Sequence, residues 1–204
     1  IFAIDRQVQN ITGFTSYGRY FAILNLAIIF NFLLDLGIST YFNREIATGR
    51  SKGNQLFTEV LIGKIWLSLF YAVIVSLVAY ITGIRDYGLL WMMIILQSGH
   101  SMLLFLRANL TASQLFRQDA ILSVTDKLLV IILAGTVLLF PGIIGPITIN
   151  LFLWIQIAAI SFSALLGIYF LSGFSGNFSF PLFSGFKKDI ILSGLPFAFN
   201  VFLM

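Results

Sequence analysis

From Leu128 to Phe186 no residue carries a charge. An uncharged run of that length has no place in a water-soluble fold, where about a quarter of residues are charged. Over the whole chain the charged fraction is only 10%, with 59% hydrophobic residues, so a soluble globule is excluded as the working class. A bilayer's hydrocarbon core asks for about 20 consecutive apolar residues per helix, and the sequence supplies several such runs. The alternating pattern of a membrane β-barrel is missing, which leaves helices as the spanning element. The expected fold class is therefore all-α, a polytopic membrane helix bundle.

Charged residues punctuate the runs. The first complete span covers about Gly18 to Phe42, with one charge, Asp35, set deep inside it. The second covers about Leu56 to Ile81, the third about Tyr87 to Leu110. The segment PGIIGP, Pro141 to Pro146, ends a helix, because proline removes a backbone donor and clashes with the preceding turn. It separates a fourth span, about Ile121 to Phe140, from a fifth, about Ile147 to Leu171. A Phe- and Gly-rich connector, Ser172 to Phe186, suits either an interfacial segment or a plain loop. After Lys187 and Lys188 a further span begins near Ile190 and is cut short at FNVFLM. Residues 1–16 read as the exit of a preceding helix followed by a loop. The whole of 1–204 reads as one transmembrane domain, and a longer chain is expected.

Short loops on the cytoplasmic side of a membrane are enriched in Lys and Arg. One set of loops holds Arg44, Arg50, Lys52, Arg117, Lys187 and Lys188; the other holds only Arg6, Arg19 and Arg85. The first set, near 43–55, 111–120 and 187–188, is expected in the cytoplasm. The net charge of +4 is spread over these loops, which suits topology and anionic lipid rather than nucleic acid. There is no cysteine, so neither a disulfide nor a thiolate metal site can form.

Three cations, Lys64, Arg107 and Lys127, and two acids, Asp35 and Asp126, fall within the spans at similar expected depth. An ionised group inside a membrane costs roughly 2.5–3.5 kcal/mol on insertion scales, so these five should face one another or a wet cavity rather than lipid. Gln97, His100, Arg107 and Gln114 fall within an arc of about 100° on a helical projection. Lys64, Ser68 and Tyr71 share a second face, Asn31 and Asp35 a third. Together they outline a polar cavity whose candidate anion-binding residues are Lys64, Arg107, Lys127, Gln97 and Tyr71. Asp35, His100 and Asp126 are the candidates for ion coupling or for structural pairing. The structural alternatives stand beside these roles. The three cations can snorkel to the interface, Asp35 can pair with Lys64 or Lys127, and Asn25, Asn31, Asn150 and Gln156 can serve as interhelical hydrogen-bond glue.

No G-x-x-x-x-G-K-[ST] phosphate loop occurs, and a single histidine leaves no familiar metal set. Catalysis and a cofactor are not expected. Several motifs do point to a family. YGRY at 17–20, LLDLGIST at 33–40 and NREIA at 43–47 resemble the first loop and second helix of polysaccharide flippases of the multidrug/oligosaccharidyl-lipid/polysaccharide exporter superfamily. LFLRANLTASQLFRQDAIL at 104–122 resembles that family's fourth helix and following loop. TDKLL at 125–129 resembles the start of its fifth helix, and SGLPFAF at 193–199 the opening of its seventh.

The resemblance implies an N-terminal-lobe fragment of a two-lobed transporter, with helices two to six and the start of helix seven. It also implies flipping of undecaprenyl-pyrophosphate-linked oligosaccharide from the inner to the outer leaflet of a bacterial or archaeal cytoplasmic membrane. The implied partners are the anionic lipid-linked glycan, membrane lipids and a polysaccharide polymerase complex, with no nucleic acid. The family's charged cavity positions carry over to Asp35, Lys64, Arg107 and Lys127. A fragment lacking the second lobe should be inactive alone. The alternatives are a multidrug/cation antiporter of the same superfamily, and a scaffold of a polysaccharide assembly complex that transports nothing.

Overall fold

A computed structural model of the chain describes residues 2–47, 53–140 and 147–174. Arg50, Lys52, the PGIIGP segment, the connector after Phe174, Lys187, Lys188, the last apolar run and the SGLPFAF motif lie outside the described residues. All regular structure among the described residues is helical: α1 (Phe2–Thr12), α2 (Phe14–Ile29), a short 3-10 turn (Asn31–Leu34), α3 (Ile38–Ala47), α4 (Gly53–Ile81), α5 (Tyr87–Ala112), α6 (Phe116–Leu139) and α7 (Ile149–Phe174).

Four of these helices, α4 to α7, are long and apolar enough to cross a membrane. Their boundaries follow local chemistry. Asp86 sits at the N-cap of α5 and its carboxylate accepts from the Leu89 amide at 3.4 Å, satisfying one of the donors that the first turn leaves free. α5 ends at Ala112 because Gln114 takes a left-handed conformation, φ 60°, that a continuing helix cannot use. The outer surface is apolar. Trp66, Leu69, Val73, Leu77 and Tyr80 of α4 are exposed at helical spacing. Such a stripe is unfavourable in water and natural against lipid tails. The fold is consistent with a multi-pass membrane helix bundle.

Two expectations give way. Residues 2–12 form a helix, but the loop expected to follow within 1–16 is reduced to Gly13, at φ 80°, before α2 starts at Phe14. Val8 of α1 is buried with Val130, Ala134 and Val137 of α6 and Phe152 of α7, and this packing holds the segment helical. The second change matters more. The expected continuous span Gly18–Phe42 is broken: Phe14–Ile29 and Asn31–Phe42 meet at a bend of 52°. The count of spans is therefore four, or five if this bent pair makes one. Leu36 and Gly37, at φ 40° and 74°, carry the chain through the bend. Glycine meets no steric cost there, whereas Leu36 is strained and needs its surroundings to hold it.

The most extensive helix pairings are α5 with α7 and α6 with α7. Gly99 makes the first close: a Cβ there would stand 2.8 Å from Cγ2 of Ile160. Small residues at such crossings let two helix backbones approach where no hydrophobic effect drives them together. At one end of the bundle Phe42, Phe57 and Phe105 tie α3, α4 and α5 together, with the Phe105 ring centroid 5.2 Å from that of Phe42 and 5.4 Å from that of Phe57. Tyr71, Val75 and Ala79 of α4 pack with Ile23 and Ala27 of α2 and Leu90 of α5 on the other side of the break. The break is thus held between two cores.

Candidate functional site: a buried lysine at a broken helix

Inside a bilayer each backbone carbonyl needs a partner, and breaking a helix leaves some without one. At this break the Leu33 amide reaches Phe30 O, the Asp35 and Leu36 amides reach Phe32 O, and the Ile38 amide reaches Asp35 O. Among the described residues no backbone N–H reaches the carbonyl of Leu34. Side chains serve it instead. Lys64 Nζ of α4 donates to Leu34 O at 3.2 Å, and Ser101 Oγ of α5 donates to the same oxygen at 3.1 Å. Lys64 also donates to Ser101 Oγ at 3.0 Å and forms an ion pair with Oδ1 of Asp35. Ser39, at the start of α3, donates to the same carboxylate oxygen. One turn before the break, Tyr71 Oη donates to the Ala27 carbonyl at 2.9 Å.

The two charges differ in access. Lys64 is only 3% exposed, while the Asp35 side chain is 36% exposed. Asp35 opens into a cavity of about 230 Å³ lined by Asn31, Asp35, Ser39, Lys64, His100, Ser101 and Leu104. Lys64 and Ser101 also border an apolar groove of about 440 Å³ between α4 and α5. Of the two cations open to Asp35, Lys64 and Lys127, the structure pairs it with Lys64. Asn31 and Asp35, expected on one face, do line one cavity.

The remaining candidates are distributed differently from the expected single cationic layer. Arg107 Nε donates to Asp119 Oδ1 at 2.7 Å, so it belongs with the first turn of α6, about 10 Å along α5 from His100. Lys127 is half exposed and pairs with the buried Asp126 next to it at 2.8 Å. His100 lines the cavity, with Nδ1 3.2 Å from the Leu96 carbonyl, and is near enough to Asp126 and Lys127 to feel both charges. Gln97 and Tyr71 are buried, and the Tyr71 hydroxyl is already engaged. Gln114 lies beyond the end of α5, so the expected polar arc stops at Arg107. Gln156 of α7 meets the Tyr20 hydroxyl of α2, an interhelical contact of the expected kind.

Among the described residues Lys64, Arg107 and Lys127 each pair with a carboxylate, Asp35, Asp119 and Asp126, and the three pairs are neutral as a set. Sequence reasoning missed Asp119, Ser39 and Ser101. Asp119 had a signal: an acid in the first turn of a helix, across a short turn from an Arg ending the helix before it, is favoured by the helix dipole and placed to pair. Ser101 had none, since its role depends on a carbonyl that only the break exposes. A comparison with protein-family models, with curated proteins and with solved structures finds no match for this chain.

Proposed function

We propose that this chain forms part of the N-terminal lobe of a polysaccharide flippase, a member of the multidrug/oligosaccharidyl-lipid/polysaccharide exporter superfamily. Its substrate is an undecaprenyl-pyrophosphate-linked oligosaccharide, moved from the cytoplasmic to the outer leaflet for surface polysaccharide such as O-antigen or exopolysaccharide. The observation that carries the reading is Lys64, a buried cation at a broken membrane helix beside a polar cavity. Discontinuous helices with charges at the break are how many transporters build substrate sites near the midplane. The order of the motifs from YGRY to TDKLL supports the family.

In this mechanism the pyrophosphate enters from the cytoplasmic leaflet and competes with Asp35 for the Lys64 ammonium. Asn31, Ser39 and His100 offer hydrogen bonds to sugar hydroxyls, and Arg107, which lies outside this cavity beside Asp119, attracts the anion on its way in. Rocking of this lobe against a second one then opens the head group to the outside. The basic loops near 43–55, 111–120 and 187–188 stay cytoplasmic. Replacing Lys64 or Arg107 by Ala in the full-length protein should impair glycan export while the protein still reaches the membrane. Export unchanged in both variants counts against the assignment.

A second reading is favoured by the pairing of Lys64, Arg107 and Lys127, each with a carboxylate: the charges hold a scaffold of a polysaccharide assembly complex together. Exchanging the partners, Asp35→Lys with Lys64→Asp, separates the two. Full function in the swapped protein supports the scaffold, and loss of export with an intact fold supports the flippase.

A further inference from the structure

Another cavity, of about 410 Å³, lies where α1, α2, α5 and α7 meet, about 30 Å along α5 from Arg107. Asp86 caps α5 there, Ser16 and Arg19 lie in the first two turns of α2, and Asn150 lies in the first turn of α7. Two of its polar side chains are already used: Thr12 Oγ1 donates to the Val8 carbonyl at 2.8 Å, and Thr148 Oγ1 accepts from the Leu151 amide at 3.3 Å. Ser16, Arg19 and Asn150 have no side-chain partner among the described residues. Asp86 accepts from the Leu89 amide through Oδ1 at 3.4 Å, which leaves Oδ2 open. Arg19 and Asp86 thus bring opposite charges to one cavity without pairing with each other. Its floor is apolar, with Leu89 and Ile149 buried. Tyr80, Tyr87 and Trp91, at the facing ends of α4 and α5, are exposed beside it. Tyrosine and tryptophan at helix ends mark the head-group level of a bilayer.

We propose that this cavity seats the head group of a zwitterionic phospholipid of the phosphoethanolamine type, its phosphate on Arg19 and its ammonium on Asp86. A guanidinium matches phosphate oxygens in a fork, and the open carboxylate oxygen of Asp86 accepts from the amine. Ser16 and Asn150 donate to the remaining phosphate and ester oxygens, and the apolar floor meets the first carbons of the chains. Opposite charges held apart select a ligand that carries both. A head group with only an anion leaves Asp86 unmatched and repelled, which is discrimination by an unfavourable contact. Depth selects a lipid over the same zwitterion in solution, because acyl chains in the bilayer hold the head group at high local concentration. The bound lipid joins α2, α5 and α7, and its binding stabilises the folded bundle by mass action. This site does not depend on what the protein transports.

The test uses the full-length protein in detergent, titrated with dihexanoyl phosphatidylethanolamine or dihexanoyl phosphatidylglycerol, and reads the rise in Tm by tryptophan fluorescence. The two lipids share their chains, and only the first carries an amine. Wild type should bind the ethanolamine lipid about fivefold more tightly, the scale of one partly exposed charge contact. Asp86→Asn keeps the helix cap, since Asn caps as well as Asp, and should abolish that preference without weakening the glycerol lipid. Arg19→Gln retains a good helix former on an exposed face and should weaken both lipids about fivefold, with Arg19→Lys recovering most of the loss. The two positions are independent, so either variant that folds decides. Equal affinity of the wild type for the two lipids overturns the proposal, as does a preference that survives Asp86→Asn. Binding unchanged by Arg19→Gln overturns it too, by placing the phosphate elsewhere. Free phosphoethanolamine that binds as tightly as the lipid overturns the lipid assignment and makes the ligand a soluble zwitterion.

Discussion

Lys64 and Asp35 illustrate why a membrane-embedded ion pair is asymmetric. Removing one member of a buried pair costs roughly 3–5 kcal/mol, because it leaves the other charge without compensation. Here the charge left behind differs in access to water: Asp35 is about one-third exposed to the cavity, whereas Lys64 is almost fully enclosed. Asp35→Ala should therefore destabilise the protein more than Lys64→Ala, with the latter at or below about 3 kcal/mol in thermal unfolding. Equal losses would mean that the burial difference is unimportant. Arg107→Ala should cost under about 1 kcal/mol, because its pair with Asp119 is partly exposed and screened. At this scale the sequence was informative about which charges lie within the spans, since an isolated Asp or Lys in an apolar run is conspicuous. It could not say how they pair. Asp35 had two cationic candidates at matching depth, and in the structure it pairs with Lys64 of α4, just past the break.

The elements divide by how directly their ends are written in the chain. The spans α4 to α7 were legible because charge, proline or a capping Asp bounds each apolar run, and their ends agree with expectation within a few residues. The break between α2 and α3 was not, since Asn31 to Gly37 sits within the largely apolar stretch between Arg19 and Arg44. Gly37 alone hinted at it, and a glycine inside a helical pattern more often packs than turns. Gly37→Ala should test the bend: at φ 74° a Cβ costs about 1 kcal/mol or more, and export should suffer along with stability. The α5–α7 crossing makes a sharper test. Gly99→Ala places its Cβ 2.8 Å from a methyl of Ile160, a β-branched side chain with little freedom to move aside. A loss of about 1–3 kcal/mol is expected, typical of overpacking, and Ile160→Ala on top of it should recover part of the loss. No loss from Gly99→Ala would mean that the two helices lie farther apart than described.

For the whole molecule, the apolar exterior of the described residues fits a multi-pass membrane bundle, and a polar cavity lies at the broken helix. The orientation expected from the basic loops is directly measurable, because the chain has no native cysteine to confuse labelling. In intact cells an impermeant maleimide should modify Arg85→Cys and spare Arg117→Cys, with both labelled once the membrane is opened. The reverse pattern would invert the proposed direction of transport. The most direct test of the central claim deletes the complete gene in its host and measures lipid-linked oligosaccharide on the cytoplasmic face of the membrane. The account predicts that it accumulates there as surface polysaccharide is lost, and that wild-type but not Lys64→Ala protein reverses both. Normal surface glycan with no accumulation in the deletion strain would contradict a flippase, and new sensitivity to cationic drugs in that strain would point to the antiporter instead.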